Sequence, residues 1–334
     1  MSKTILPDAR RSPRFAGIPT FCRYPRIEDV SAANRPVDWA IYGVPFDAGV
    51  TYRPGARFGP RAVRVESQYV KRYSIEHGVD VCELLSLADA GDSPVSPFDL
   101  DHQSMVQLEW LHGVGDPRRT RLMAVGGDHS IAHANIRATW ERFSKPKSGL
   151  ALIHFDSHLD TVDTVWGHPS SHASVFRRAI EDGLIDPRWM LSIGVKGPLN
   201  TPEDLDFAKK HGVTLVTYDR FRREGMKPIG AFVASLKDRP VYITFDIDCV
   251  DPAYAPGTGT PSVGGLTSAE ALTLLRSLAG INLVGADVVE VLPDRDVSGI
   301  TALLAAHIMF EILCLDAVRR NGRSKANAGS RKKP

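Results

Sequence analysis

Cysteine is scarce in this sequence of 334 residues, with only four present. They lie far apart in the chain and form no CxxC pair, at Cys22, Cys82, Cys249 and Cys314. This spacing argues against a zinc knuckle and against a small scaffold built on disulfides. We therefore expect reduced thiols and a cytoplasmic protein.

Long hydrophobic runs and an excess of one charge are missing as well. No stretch of about 18 consecutive apolar residues occurs, and the opening segment MSKTILPDARRSPRFAG lacks the apolar core of a signal peptide. The formal net charge is +2, although residues 319–334 hold seven lysines and arginines and no acid, so the rest of the chain is mildly acidic. These features predict no membrane insertion, no secretion and no nucleic-acid partner, and residues 321–334 are predicted to form a basic flexible tail.

The sequence does contain short apolar runs that alternate with helical patterns. Eight runs are almost continuously apolar, which is typical of strands buried on both faces of a parallel sheet. They lie at residues 39–44, 84–90, 121–126, 150–155, 189–195, 213–218, 240–247 and 281–291. Helical periodicity is found at residues 60–73, 100–111, 132–143, 174–182, 202–211, 268–278 and 300–320.

No internal repeat and no linker rich in proline, glycine or serine divides these segments. The alternation predicts an α/β protein with a three-layer α/β/α fold around an eight-stranded, mostly parallel sheet. We predict a single domain over residues 1–320, of which roughly the first 12 are extended.

Three of the apolar runs are followed at once by acids and histidines. The segments are AVGGDHS (124–130), LIHFDSHLD (152–160) and YITFDIDCVDP (242–252). Because the carboxyl ends of parallel strands lie at one edge of a sheet, these side chains should converge there. The predicted cluster combines four carboxylates with two imidazoles, from His129, Asp156, His158, Asp160, Asp246 and Asp248.

Such a cluster needs positive charge between its members. Neighbouring carboxylates repel one another, and each is costly to leave unpaired away from water. The three segments contain no lysine or arginine, so divalent metal ions are the simplest explanation. Mixed imidazole and carboxylate ligands favour Mn²⁺ as the first candidate and Ni²⁺ as the second. Two such ions about 3.5 Å apart would share a water and lower its pKa toward about 7, which gives a hydroxide nucleophile.

These motifs resemble the ureohydrolase family of arginases and agmatinases, together with the segments SVGGLTSAEAL, GADVVEVLP and DPAYAPGTGTPSVGGL. The resemblance runs from about Pro13 to Leu315, and PRFAGIPTF and YGVPFDAGVTYRPGARFGPRAVR are most similar to the agmatinase and guanidinobutyrase branch. It implies two Mn²⁺ ions bound by the six residues above and hydrolysis of a guanidino group to urea and an amine. It also implies trimers or hexamers.

Further residue roles follow from the resemblance. Glu290 in VVEVLP matches the acid that pairs with the substrate guanidinium, a planar cation suited to a carboxylate. His172 matches a histidine that moves protons, and Asp160 or His172 would protonate the leaving amine. Glu290, His172 and Ser157 are predicted to contact the substrate.

The sequence departs from the family pattern close to the expected substrate. It reads DSH at 156–158 where relatives read DAH, HA at 172–173 where they read HG, and RDVSGIT at 295–301 where many agmatinase-like proteins carry a YDHAEIT-like run. Altered side-chain volume in a packed site changes specificity, and Arg295 suits a primary ammonium tail poorly. We predict a substrate other than agmatine, such as a guanidino acid or a small N-alkylguanidine or biguanide of the metformin type.

Two alternatives stay open at this point. One is a weakly active or non-catalytic subunit that assembles with an active paralogue, so a hetero-oligomer is possible besides a homo-oligomer. The other is a formimino-compound hydrolase with the same fold. The released product separates these classes, because only a ureohydrolase releases urea.

Overall fold

Eight parallel strands form one central sheet. The computed structural model describes residues 3–143 and 148–330, with side chains described as far as Gly322. The strands of this part of the chain are β1 (Trp39–Val44), β2 (Tyr73–Ser74), β3 (Val79–Asp80), β4 (Leu87–Asp92), β5 (Arg121–Gly126), β6 (Leu150–Phe155), β7 (Ile185–Ile193), β8 (Thr214–Val216), β9 (Pro240–Asp246) and β10 (Asn282–Val289). The order in the sheet is β4-β1-β5-β10-β9-β6-β7-β8, and β2 pairs separately with β3.

The sheet confirms the predicted fold class. Every residue of β1 and of β6 is buried, as expected for continuously apolar strands that are covered on both faces. The bounds differ most at β7, which begins at Ile185 although the apolar pattern begins at 189. The first half of β7 contains a proline and two charged residues, Asp186 and Arg188. A register irregularity follows its pairing with Leu150, so hydrophobicity alone could not mark where this strand starts.

Helices cover both faces of the sheet. They are α1 (Gly59–Glu66), α2 (Val81–Leu84), α3 (Leu100–His112), α4 (Ala132–Phe143), α5 (Val175–Glu181), α6 (Asp206–His211), α7 (Tyr218–Glu224), α8 (Lys227–Leu236), α9 (Ser268–Arg276) and α10 (Ile300–Ser330). Apolar residues of α1, α8, α9 and α10 share a core with one face of the sheet, whereas those of α3, α4 and α5 pack on the other face. The protein therefore has the predicted three layers.

Some helix bounds differ from the sequence prediction. The pattern predicts no helix where α7 and α8 lie, and it extends α1 to residue 73, although α1 ends at Glu66 and a 3-10 turn follows over Ser67–Tyr69. The last helix continues well past its predicted end at 320, so it overlaps the predicted basic tail. Residues 331–334 of that tail lie outside the described part of the chain.

The last helix is long and apolar. Over Ile300–Gly322 its length and mean hydropathy of 1.8 would suffice to cross a membrane, yet 83% of that window is buried inside the protein. Side chains such as Ile308 and Leu313 are fully buried in the core that the helix shares with the sheet. A buried core helix of a soluble protein meets the same criteria of length and hydropathy, so this one helix is weak evidence for a membrane span.

Candidate metal centre and substrate cleft

The predicted cluster lies at the carboxyl edge of four neighbouring strands, β5, β10, β9 and β6. A 3-10 turn over His129–Ile131 follows β5, and another over Ile247–Cys249 follows β9. Asp156 comes directly after β6, and Glu290 directly after β10. Because adjacent parallel strands end at the same level, side chains more than 100 residues apart in sequence meet here.

One half of the cluster surrounds the imidazole of His129. Its Nδ1 lies 3.1 Å from Asp156 Oδ2, 3.0 Å from Asp160 Oδ2 and 3.3 Å from Asp246 Oδ2. His129 is fully buried, and among the described residues its Nδ1 has no partner with hydrogen-bond geometry. A buried nitrogen that faces three carboxylate oxygens without a hydrogen bond fits a site for a cation.

The other half of the cluster surrounds His158. Its Nδ1 lies 3.3 Å from Asp156 Oδ1 and 3.2 Å from Asp248 Oδ2. Asp156 thus turns one oxygen toward each histidine and belongs to both halves. All six predicted ligands are brought together, in two adjacent groups that share one carboxylate.

Burial and neighbouring charges shift the pKa values of the groups in the cluster strongly. Burial raises the pKa of Asp246 well above its ordinary value, and the charges of Asp248 and Asp156 raise it further. Burial lowers the pKa of His158, but Asp248 and Asp156 outweigh it and raise that pKa to about 12. For His129 as well, neighbouring carboxylates outweigh burial and raise the pKa. The site therefore attracts positive charge, and its nitrogen and oxygen donors suit a divalent metal ion.

One member of the site was not predicted from the sequence. His154 lies inside β6, fully buried, with its Nε2 2.9 Å from Asp156 Oδ2 and its Nδ1 3.1 Å from Ser192 Oγ. Its ring also packs against Phe176, with centroids 4.5 Å apart. His154 precedes Asp156 by two residues, and this alternate spacing along a strand was the available signal that both face the same side.

Ser157 is hydrogen-bonded to the loop that carries Asp248. The residue is fully buried, and its hydroxyl donates to the backbone oxygen of Asp248 at 2.7 Å. Lys196 Nζ donates to the same hydroxyl at 2.5 Å and to the oxygens of Asp248 and Ser262 at 2.7 and 2.8 Å. Ser157 therefore supports the loop that carries Asp248. It is not among the residues that line the cleft described below, so its contact with the substrate stays a prediction.

Glu290 presents a carboxylate oxygen beside the cluster. It is only 1% exposed and has a φ of 65°, in the left-handed region that few residues other than glycine adopt. Its Oε1 accepts from the backbone N–H of His129 at 2.9 Å and lies 2.8 Å from His172 Nδ1. Its Oε2 has no hydrogen-bond partner among the described residues. A buried carboxylate oxygen without a protein donor can accept from a bound water or from a ligand.

His172 is held between Glu290 and Thr51. Its Nε2 accepts from the backbone N–H of Thr51 at 3.0 Å and lies 2.7 Å from the Thr51 hydroxyl. Since Nε2 is an acceptor in this contact, Nδ1 carries the proton that reaches Glu290. Burial lowers the pKa of His172, but the charges of Glu290, Asp160 and Asp128 outweigh it and raise the pKa to about 9. The contact with the Thr51 N–H nevertheless requires the neutral ring, because an imidazolium has no acceptor nitrogen.

A cleft of about 500 Å³ leads to the cluster. Polar side chains at its inner end are His158, Asp160, His172 and Asp246, and apolar side chains on its walls are Val162, Val165, Trp166, Ala173 and Leu199. Trp166 is 84% exposed and has a φ of 51° at the tip of a turn that the Val165–His168 pair closes. Arg295 is exposed and is not part of this lining, so the departure at 295–301 does not bring that guanidinium into the cleft.

Residues 37–315 match the model of the arginase family. The chain belongs to the arginase family. The matched range includes all six residues of the cluster together with His172 and Glu290. This arginase-family chain is a hydrolase of carbon–nitrogen bonds in guanidino compounds.

Similar proteins include the guanidinopropionase of Pseudomonas aeruginosa, which is 42% identical over 92% of this chain and 94% of its own. The solved structure of proclavaminate amidinohydrolase from Streptomyces clavuligerus has a TM-score of 0.84 and 41% identity, over 92% of this chain and 100% of that one. A formimidoylglutamase structure from Bacillus subtilis has a TM-score of 0.76 and 28% identity, over 84% of this chain and 87% of that one.

Proposed function

We propose that this arginase-family ureohydrolase uses two divalent metal ions, with Mn²⁺ first and Ni²⁺ second, to cleave a small N-alkylguanidine to urea and an amine, or a biguanide to urea and a guanidine. His129, Asp156, Asp160 and Asp246 would hold one ion, and His158, Asp156 and Asp248 the other. When bound, the ions would supply a hydroxide nucleophile at neutral pH and stabilise developing negative charge.

The free oxygen of Glu290 is the observation that supports this proposal most strongly. It lies next to the cluster, and the N–H groups of a guanidinium can donate hydrogen bonds to it. The other oxygen is held by His129 and His172, so the carboxylate is already oriented before a substrate arrives. The leaving amine would receive its proton through Asp160 or through His172.

The cleft walls support the choice of substrate tail. Among the described residues no lysine or arginine lines the cleft, so a carboxylate tail would find no cation there. Asp204 lines it, but the Asp204 carboxylate accepts from the backbone N–H groups of Asn200 and Thr201. Apolar walls that include Trp166 suit a short uncharged alkyl tail better than a primary ammonium, which favours an N-alkylguanidine or a biguanide of the metformin type over agmatine.

A guanidino acid is the second candidate, because guanidinopropionase is 42% identical to this chain. The hydroxyl of Thr164 and the amide of Asn200 in the cleft lining could bind its carboxylate without a cation. We also propose a homo-oligomer of three or six chains, with a hetero-oligomer containing a paralogue as the alternative state.

The test is a screen of urea release. Protein loaded separately with Mn²⁺ and Ni²⁺ is given agmatine, guanidino acids of increasing length, N-alkylguanidines and biguanides. We expect the highest kcat/KM for an uncharged N-alkyl tail. Agmatine turnover above all the others would contradict this substrate class, and release of formamide or ammonia would indicate a formimino-compound hydrolase. Activity that appears only after a paralogue is added would indicate the non-catalytic subunit.

A further inference from the structure

Asp287 is a fully buried carboxylate in the middle of the sheet, outside the predicted cluster. It lies on β10 directly opposite Thr244 of β9. Its Oδ1 accepts from the Thr244 hydroxyl at 2.5 Å, and its Oδ2 accepts from the Tyr242 hydroxyl at 2.6 Å. A buried carboxylate is costly, and stability alone does not account for placing one here.

The directions of the hydrogen bonds around Asp287 can be deduced from one backbone carbonyl. Asn135 Nδ2 lies 2.9 Å from the oxygen of Ala286, which can only accept, so this end of the amide must be the nitrogen. The same nitrogen donates to the Tyr242 hydroxyl, and Tyr42 donates to Asn135 Oδ1 at 2.8 Å. The single hydrogen of Tyr242 is therefore left for Asp287.

The same reasoning reaches the metal cluster through Thr244. Its one hydroxyl hydrogen is donated to Asp287, so its oxygen must accept from His129 Nε2, which lies 2.8 Å away. Nε2 therefore carries a proton, so Nδ1, which faces the carboxylates of the cluster, is the nitrogen that can offer its lone pair to a metal ion. Among the described residues Nδ1 has no hydrogen-bond partner, which leaves it available to a metal ion.

The geometry points to Asp287 as a positioning residue, which acts through Thr244 to fix the tautomer of His129 for metal binding. This inference rests on the proposed metal centre. Asp287 does not itself reach a metal ion or a substrate, because Thr244 and His129 stand between.

Asp287→Asn has a definite expected consequence. Tyr242 still has only its own hydrogen to donate, so the new amide must turn its oxygen to Tyr242 and its NH₂ to Thr244. The Thr244 hydroxyl would then donate to His129 Nε2, and the imidazole proton would move to Nδ1, where it blocks the lone pair. We expect about 10-fold to 100-fold weaker Mn²⁺ binding at one of the two sites, as is typical when the partner of a ligating histidine is altered.

Two further pairs of variants separate positioning from packing. Thr244→Val removes the hydroxyl at nearly constant shape and should weaken one Mn²⁺ site as Asp287→Asn does, whereas Thr244→Ser keeps the hydroxyl and should stay within about 3-fold of the wild type. Tyr242→Phe removes the other donor to Asp287 but leaves the path to His129, so it should lower stability without a comparable loss of metal affinity.

The measurement is Mn²⁺ stoichiometry and dissociation constant by chelator competition on the full chain, with thermal unfolding in parallel. Wild-type affinity in folded Asp287→Asn or Thr244→Val protein would overturn the inference and leave the metal centre standing, as would an equal loss in Tyr242→Phe. Wild-type protein that binds no Mn²⁺ would overturn the metal centre and the inference with it. If Asp287→Asn does not fold, the Thr244→Val and Thr244→Ser pair decides.

Discussion

At the scale of single residues, the unpartnered oxygen of Glu290 allows a specific prediction about substrate binding. Glu290→Gln keeps one oxygen to accept from His129 and His172, but the new NH₂ group replaces Oε2 and would face the N–H groups of a guanidinium. We expect kcat/KM for urea release to fall by about 100-fold or more, since a charge-assisted pair becomes a repulsive contact.

The control for this variant is a measurement of its stability and metal content. The melting temperature and metal content of Glu290→Gln should stay close to those of the wild type, because the two hydrogen bonds to Oε1 survive. Activity within about 3-fold of the wild type would show that Glu290 does not bind the reacting group.

Ser157 gives a second residue-scale prediction with the opposite signature. Its hydroxyl bridges Lys196 and the backbone of Asp248, so Ser157→Ala should lower the free energy of unfolding by about 1 kcal/mol, the usual net value of a buried hydrogen bond. The ratios of kcat/KM among substrates should not change, since Ser157 is not among the residues that line the cleft. Thermal unfolding and the urea-release screen measure both, and a change of specificity of about 10-fold would indicate that Ser157 contacts the substrate as predicted.

Much of the site could be predicted because its residues follow strands. The places of His129, Asp156 and Asp246 depend on where a parallel strand ends, which apolar patterning reveals. The direction of the Ser157 side chain depends on loop packing against Lys196, and the contact of His172 with Thr51 joins residues 121 apart. Neither has a local pattern, so tertiary structure alone could reveal them.

At the scale of elements, the central strands were easier to predict than the helices of the second half. Strands buried on both faces carry an unbroken apolar run, whereas α7 consists largely of charged residues and lies on the surface with none of its side chains buried. The glycine at 225 separates α7 from α8 and interrupts the helical period. In the tight turn after β5, by contrast, the sequence is constrained directly, because backbone contacts at Gly127 leave no room for a side chain.

Gly127 and Gly230 form a pair that tests this turn. A Cβ on Gly127 would lie 1.9 Å from the oxygen of Phe46 and 2.7 Å from that of Val44, whereas a Cβ on Gly230 of α8 meets nothing within 4 Å. Gly127→Ala should destabilise the protein by at least about 2 kcal/mol and displace the turn that carries His129. Gly230→Ala should stabilise it by about 0.5 to 1 kcal/mol through helix propensity.

Thermal unfolding with Mn²⁺ titration checks both glycine variants. We expect weaker metal binding in Gly127→Ala and unchanged binding in Gly230→Ala. Equal stability of the two variants would mean that the backbone near Phe46 yields at little cost, contrary to the tight contact seen here.

At the scale of the whole molecule, the metal cluster links stability to pH. Without metal, Asp246 and Asp160 have raised pKa values, mainly through burial and through nearby carboxylates, and His129 and His158 have raised pKa values because the carboxylates outweigh burial. Such groups hold protons in the folded state that the unfolded chain has already lost, so their stabilisation fades as pH rises. Asp156 behaves in the opposite way, because histidine hydrogen bonds lower its pKa despite burial; its contribution is constant above its ordinary pKa.

The stabilisation by metal should therefore grow with pH. From about pH 6.5, the ordinary pKa of histidine, toward the value of about 12 for His158, the metal-free protein loses stability because the unfolded chain has given up the histidine protons while the folded cluster retains them. Bound Mn²⁺ replaces those protons, and its binding becomes tighter as competing protons are removed. We expect the difference in melting temperature between metal-loaded and chelator-treated protein to increase from about pH 6 to about pH 8.5, measured by differential scanning fluorimetry in buffers of equal ionic strength. A difference that stays constant or shrinks over this range would mean that the cluster does not exchange protons for metal, since the exchange requires the two to compete for the same buried atoms.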